Sequence, residues 1–233
     1  MTVTLRPARE RGHARHGWLE SDHSFSFADY FDPAHMGFRG LRVINEDVIQ
    51  PGSGFAEHGH RDMEILTYVL RGTLTHRDST GAKGVLRHGD VQYMSAGTGI
   101  RHSEVNESDD EPVHLLQIWI LPPRTGLAPS YQQRRFAEAD LHNVLRRIAG
   151  PDDDGTALRT HRDARIHAAR LDPGVTVSYP LGQGRGAWVQ VVEGAVDLDG
   201  TTMGAGDGAA VDGCDRLTLT ARDPAEILLF DLD

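Results

Sequence analysis

Two short stretches set metal-binding side chains at strand spacing. "HGH" places His58 and His60 one residue apart, and "HSE" does the same for His102 and Glu104. In an extended strand, residues i and i+2 project to the same side, about 7 Å apart. Each pair can therefore aim two groups at one ion. If the two stretches lie on neighbouring strands facing one interior, they assemble three neutral imidazole nitrogens and a carboxylate. That set suits a divalent transition metal such as Fe, Ni, Cu, Co or Mn, with open positions for a substrate and dioxygen. A lone His-x-His carries little weight in a chain with 13 histidines among 233 residues, so the elements around it decide.

Those elements read as short strands. The 26 glycines and 11 prolines punctuate the chain densely, which favours strands and turns over long helices. "RGLRVINEDVI" is a strand ending at Pro51, "PGSG" a turn, and "MEILTYVLRGTLTHRD" two strands around Gly72. "LRHGDVQYM" turns at Gly89–Asp90 into another strand, and "AGTGIRHSEVN" is a glycine-rich bend leading into one more. "VHLLQIWILP" is a nearly continuous apolar strand stopped by Pro122–Pro123. "HSFSFADYF" reads as a strand or an extended arm packed by its aromatics. Residues 122–134 read as a surface connection, "RRFAEADLHNVLRRIAG" as a short helix near 135–141 followed by strand, and "GPDDDGT" as an acidic loop. The remainder is strand-like, and the two halves share an outline. "YVLRGTLTHRD" and "QVVEGAVDLDG" each put a glycine, Gly72 or Gly194, between strands. Each half then has a Gly–Asp turn, Gly89–Asp90 or Gly206–Asp207. Two similar β units are expected.

Composition narrows the class. Apolar residues make up 39% and charged residues 25%, enough for a core under a soluble surface. The net charge of −10, from 24 basic and 34 acidic residues, argues against a broad nucleic-acid interface. A role in transcription would run through a protein partner. The single cysteine, Cys214, excludes an internal disulfide and fits a reducing compartment. The N-terminal stretch has no apolar core of signal-peptide length, and no apolar run approaches the roughly 20 residues of a spanning helix. The expectation is a soluble, cytoplasmic monomer with no membrane contact.

The wider spacing turns the paired histidines into a pattern. Gly52, five residues, His58, one residue, His60, three residues, Glu64 and then Gly72 resemble the first cupin motif. Gly89, five residues, Ser95, one residue, Gly97, His102, three residues, Asn106 resemble the second, with Ser95 where proline is usual. The stretch from "RGHARHGWLESDHSFSFADYF" to "FAEHGHRDMEILTYVL", then "GDVQYMSAGTGIRHSEVN" and "LLQIWILPP", resembles the pirin family, closely over most of residues 10–131 and more loosely beyond. The resemblance implies an all-β bicupin. Residues 1–134 would form a metal-binding cupin barrel and 135–233 a degenerate, metal-free one. It implies His58, His60, His102 and Glu104 as ligands of one divalent transition metal. Iron(II) is the first expectation, and Ni, Cu, Co, Mn or Zn are alternatives. Glu64 fits the general cupin ligand position and lies at an even offset from His60, so an unbroken strand would put it on the same face; a bulge would move it. The resemblance favours Glu104.

In the second half, Pro180, Gly182 and Gly186 fall opposite His58, His60 and Glu64, and none can supply a ligand side chain. Cys214 reads as a small buried apolar residue. His76 and His88 flank turns and read as solvated, and His114 as packed or capping. His13, His16, His23 and His35 read as surface or structural residues, one of them near a pocket rim. Phe25, Phe27 and Trp119 read as core, while Met36 and Phe38 are candidates for a pocket mouth.

The implied activity is that of a quercetin 2,3-dioxygenase, opening a flavonol with O2 and releasing carbon monoxide. Glu104, or Glu64 beside it, would accept the flavonol proton. The alternative is a metal-binding regulator acting through protein partners, and a third option is a cupin without oxygen chemistry.

Overall fold

A computed structural model describes residues 1–152 and 154–233; Asp153, in the acidic loop, lies outside the described residues. The chain divides into two compact units. One comprises Gly12–Arg135 with Leu158–Arg162. The other comprises Met1–Arg11, Phe136–Ala157 and Asp163–Asp233. Each is an all-β cupin barrel made of two antiparallel sheets. The only α-helix among the described residues is Glu138–Leu141, followed by the strand Arg146–Gly150. Among them, no helix is long and apolar enough to cross a membrane.

In the first unit the larger sheet runs Ser130–Arg135, Asp90–Ser95, Glu64–Arg71, Val113–Ile120, Leu41–Ile49, Leu19–His23, Gly12–Arg15. The smaller runs Gly54–His60, Ile100–Val105, Thr73–Asp78, Lys83–Arg87. Residues 122–134 are thus more than a connection, because Ser130–Arg135 pairs along Asp90–Ser95. The "HSFSFADYF" stretch leaves the strand at His23 and turns back through an isolated Phe27–Tyr30 bridge.

In the second unit Thr2–Arg6, Gly208–Asp212, Gly186–Glu193, Ala225–Leu232, Ala164–Leu171 and Arg146–Gly150 lie side by side in that order. Thr176–Pro180, Arg216–Ala221, Ala195–Leu198 and Thr201–Gly204 form the smaller sheet. The N-terminal strand belongs here, since Thr2 pairs with Asp212 and Arg6 with Gly208. The core of this unit is apolar, with Val189, Val191, Leu198, Met203, Leu219 and Leu229 packed together.

The interior of the first unit is layered. Leu19, Ile49, Val69, Leu74, Val113 and Leu115 form one apolar cluster. Ile65, Met94, Ala96 and Ile100 form another. Between them the inward positions turn polar: Thr67 separates Ile65 from Val69, and Gln117 follows Leu115 at the next inward position. Because strand side chains alternate between faces, the polar residues at these positions point into the barrel, are buried, and pair with one another.

The shared Gly72/Gly194 outline has one physical cause in both units. Each glycine sits at φ +74°, where L-residues are strained, and each packs its Cα against a neighbouring backbone. A Cβ on Gly72 would stand 2.5 Å from the Pro112 carbonyl oxygen, and one on Gly194 2.0 Å from that of Pro224. Backbone on both sides leaves nothing flexible to yield. Gly72→Ala is expected to destabilise the protein by about 1–3 kcal/mol, read as a lower urea midpoint at unchanged m-value.

Candidate metal centre

The strands Gly54–His60 and Ile100–Val105 are direct neighbours, with His58 opposite His102. Paired residues share a face, so the two sequence stretches do converge. His58, His60 and His102 lie with ring centroids 4.5 to 4.9 Å apart, and one ring nitrogen from each falls within 4.8 Å of the others.

A bulge shapes this strand. His58 opposes His102, yet Phe55, not Ala56, opposes Glu104. Ala56 and Glu57 form the extra-residue side and are exposed. Phe55 and His58 are three residues apart and would face opposite sides of a regular strand. The bulge restores parity, and both line the same cavity. It also supplies the acceptor that orients His58. The Ala56 carbonyl, which can only accept, takes a hydrogen bond from His58 Nδ1–H at 2.8 Å. The lone pair is therefore on Nε2.

His102 is fixed by a longer chain. Asp78 Oδ2 accepts from His76 Nε2–H at 2.9 Å, which leaves His76 Nδ1 to accept from His102 Nδ1–H across 3.5 Å. His102 Nε2 is again the free nitrogen. His76, read from sequence as solvated, is fully buried and stacks on Tyr131 with centroids 4.6 Å apart. The fold lays the strand Ser130–Arg135 near a turn-flanking residue that the sequence left uncovered.

The two Nε2 atoms of His58 and His102 face each other at 3.1 Å. Two lone pairs at that distance repel unless a cation lies between them. Two nitrogens bound at right angles to one ion at about 2.1 Å stand about 3 Å apart. The donor set therefore fits a divalent transition ion.

Glu104 joins His102 and His76 in an overlapping group of ligand atoms within 4.8 Å. Its carboxylate is buried and held by three donors. Gln92 Nε2 donates to Oε1 at 2.8 Å and Thr67 Oγ1 at 3.2 Å, and Gln117 Nε2 donates to Oε2. These donors belong to a row that crosses the larger sheet in register: His23 beside Asn45, Asn45 beside Gln117, Gln117 beside Thr67, Thr67 beside Gln92. The sequence reading missed this row. Its one signal was a polar residue at an inward position in an otherwise apolar strand, as Gln117 is in "HLLQIWI".

Glu64 faces elsewhere. Asp62 takes a left-handed conformation, φ 48°, and the chain is out of strand between His60 and Glu64. The even offset therefore does not carry over. Ile65 lines the cavity, so Glu64, its immediate neighbour, lies on the other face. There its carboxylate, fully buried, accepts from Tyr93 O–H at 2.7 Å and from the backbone N–H groups of His161 and Arg162, each at 2.9 Å. It anchors the segment Leu158–Arg162.

The cavity beside the histidines has a volume of about 250 Å³. Phe55 lies on its wall with Phe27 and Trp119, whose rings meet edge to face at 5.3 Å. Trp119 also meets the His60 ring edge to face at 4.9 Å. Phe27 and Trp119 are thus half-buried wall residues, not core, whereas Phe25 is core. Two of the N-terminal histidines, His16 and His23, line the cavity. Met36, exposed, is not among the lining residues, nor is Phe38.

Two cupin barrels in one chain, one with an imidazole cluster and a buried carboxylate at its heart, define a bicupin with a candidate mononuclear centre. Residues 4–120 match the family described as Pirin, and residues 147–232 that described as the quercetinase C-terminal cupin domain. The chain is 47% identical over 230 residues to quercetin 2,3-dioxygenase of Escherichia coli K12, covering 99% of this chain and 98% of the relative. It is 43% identical over 230 residues to a pirin-like protein of Caulobacter vibrioides, covering 98% and 99%. The crystal structure of the bacterial pirin YhhW from E. coli in complex with nickel(II) is similar at a TM-score of 0.94 with 46% identity, covering 99% of each chain. The chain belongs to the pirin family.

Burial, followed by the neighbouring rings, holds His60 down at about 4 and His102 at about 3. Both therefore stay neutral, as ligands must. In the unfolded chain each titrates near about 6.5. Between that value and the folded values these two imidazoles bind more protons in the unfolded chain, so each withdraws stability from the metal-free protein as pH falls through this window. The raised carboxyl of Asp47 opposes this in part. Urea midpoints measured with chelator between about pH 7 and pH 5 should fall. The fall should be shallower in the His60→Gln/His102→Gln double variant.

Proposed function

We propose that this protein is a metal-dependent flavonol dioxygenase of the quercetin 2,3-dioxygenase type. His58, His60, His102 and Glu104 hold one divalent transition metal, and a flavonol and O2 are its substrates. The observation that carries the reading is the pair of Nε2 atoms of His58 and His102 facing each other at 3.1 Å beside an aromatic-walled cavity. The names of the similar E. coli proteins, one a quercetin 2,3-dioxygenase and one a nickel(II) complex, support it further.

The ion supplies a Lewis acid for the flavonol 3-oxygen and a site for oxygen chemistry. The residues do the rest. Ala56 O and the Asp78–His76 pair set the tautomers of His58 and His102 before anything binds. Such pre-set orientation saves reorganisation when the ligand arrives. Gln92, Thr67 and Gln117 fix the Glu104 carboxylate. Phe55, Phe27 and Trp119 offer flat apolar surfaces to a planar substrate and keep water from the reacting face.

Protein reconstituted separately with Fe(II), Ni(II), Cu(II), Co(II) or Mn(II) is expected to consume quercetin in air with release of carbon monoxide, with one or two of the metals clearly best. No metal-dependent loss of flavonol absorbance with any of them would sink the reading. His58→Ala is expected to lose stoichiometric metal; one ion per chain in that variant would refute the ligand assignment.

Glu64→Gln separates the two acids. It should keep its metal while losing about 1–3 kcal/mol of stability, because buried backbone N–H groups lose a charged acceptor. Metal content by elemental analysis and a urea titration on the same sample read both effects.

A further inference from the structure

The strand Leu41–Ile49 carries a second buried carboxylate inside the same barrel. Asp47 is 2% exposed and lines the cavity together with the three histidines and Glu104. Its Oδ1 accepts a hydrogen bond from the hydroxyl of Ser21, its register partner on the adjoining strand. Among the described residues, nothing donates to Oδ2. A carboxylate oxygen without a donor is costly to bury, and the small exposed part of Asp47 belongs to the cavity lining where a ligand would sit. Glu104 differs: both of its oxygens accept hydrogen bonds, from Gln92, Thr67 and Gln117, and its remaining lone pairs are assigned to the metal.

The charges around Asp47 favour uptake of a proton. Glu104 shares its cavity, and Glu46 and Asp22 flank it on its own strand and the next. His23 is the other titratable side chain on the adjoining strand that lines the cavity. On the far side, Val113–Ile120 presents Leu115 directly opposite and Gln117 diagonally, neither of which titrates. Burial pushes the Asp47 carboxyl up to about 7, opposed by the Ser21 hydrogen bond and reinforced by the three carboxylates. A group poised near neutrality suits proton transfer.

We infer that Asp47 Oδ2 is the proton acceptor for a hydroxyl of the bound substrate, with Ser21 positioning the carboxylate. This inference rests on the flavonol reading above and gives that substrate its base. The substrate O–H bond breaks, a new O–H bond forms on Asp47 Oδ2, and the electron pair stays on the substrate oxygen. No oxidant is consumed in this step. The substrate class it selects is a planar ligand whose acidic enol or phenol can reach the wall formed by Ser21 and Asp47 while its ring lies against Phe55 and Trp119.

The test uses metal-loaded protein and 3-hydroxyflavone without oxygen, following the long-wavelength band of the bound anion across pH. The wild type should bind the probe as the anion, with a midpoint below that of the free compound. Asp47→Asn should move the midpoint upward at unchanged metal stoichiometry, and lower kcat for quercetin by about 10²–10⁴-fold. Asp47→Glu should recover part of both. If Asp47→Asn fails to fold, Ser21→Ala carries the test, with a smaller upward shift expected.

An unchanged midpoint in Asp47→Asn, or in Ser21→Ala where that variant stands in, would overturn the proposal. So would a wild type that binds the probe only in its neutral form. Anion bound by the wild type with no oxygen consumed in air would overturn the dioxygenase reading alone and leave the proton acceptor standing.

Discussion

A buried carboxylate inside a barrel has to be satisfied by its surroundings, and Glu104 imposes that demand on three neighbouring strands. Three donors meet it from three different strands. Those donors line up because the register of the larger sheet puts His23, Asn45, Gln117, Thr67 and Gln92 in one row. A slip of one residue in the strands that carry Gln117, Thr67 or Gln92 would turn the polar member outward and bring in Leu, Ile, Val or Tyr. The polar layer therefore fixes the register that the apolar clusters above and below leave degenerate.

The same layer explains why the barrel holds a cavity there. Amides and hydroxyls spend their donors on fixed partners, so the side chains cannot collapse inward as aliphatic ones would. The histidines of the smaller sheet face this wall, and His58 and His102 are oriented by neighbours on their own sheet. Orientation and emptiness thus share one origin, a set of hydrogen bonds formed before a ligand arrives. The second unit instead has an aliphatic centre, with Val189, Leu198, Met203 and Leu219 packed together.

Much of this was legible in the sequence, for reasons of period. His58, His60, His102 and Glu104 stood out because a strand repeats every two residues and both pairs obey that repeat. Gly72 and Gly194 were legible because a turn at positive φ admits little else. What stayed hidden depended on where distant strands fell. His76 looked solvated beside its turn until the strand Ser130–Arg135 brought Tyr131 over it. Glu64 looked inward by offset until a left-handed residue, Asp62, reset the count. Phe27 and Trp119 read as core because an aromatic against a cavity and one against a core have the same sequence. The polar row and Asp47 could not be ranked from the chain alone, since a polar residue in a strand faces solvent as often as it faces another polar residue.

The bulge at Ala56–Glu57 makes the centre depend on counting as well as on chemistry. Phe55 and His58 reach the same cavity only because one surplus residue separates them. Removing Glu57, itself exposed and paired with Arg101 at the surface, would leave every cavity-lining residue in place by type. It would nonetheless turn either the aromatic wall or the imidazole pair toward solvent. A one-codon deletion on the outside of the barrel could thus abolish the site as fully as losing a histidine. The length of this segment, and not only its composition, is a hereditary constraint on the protein.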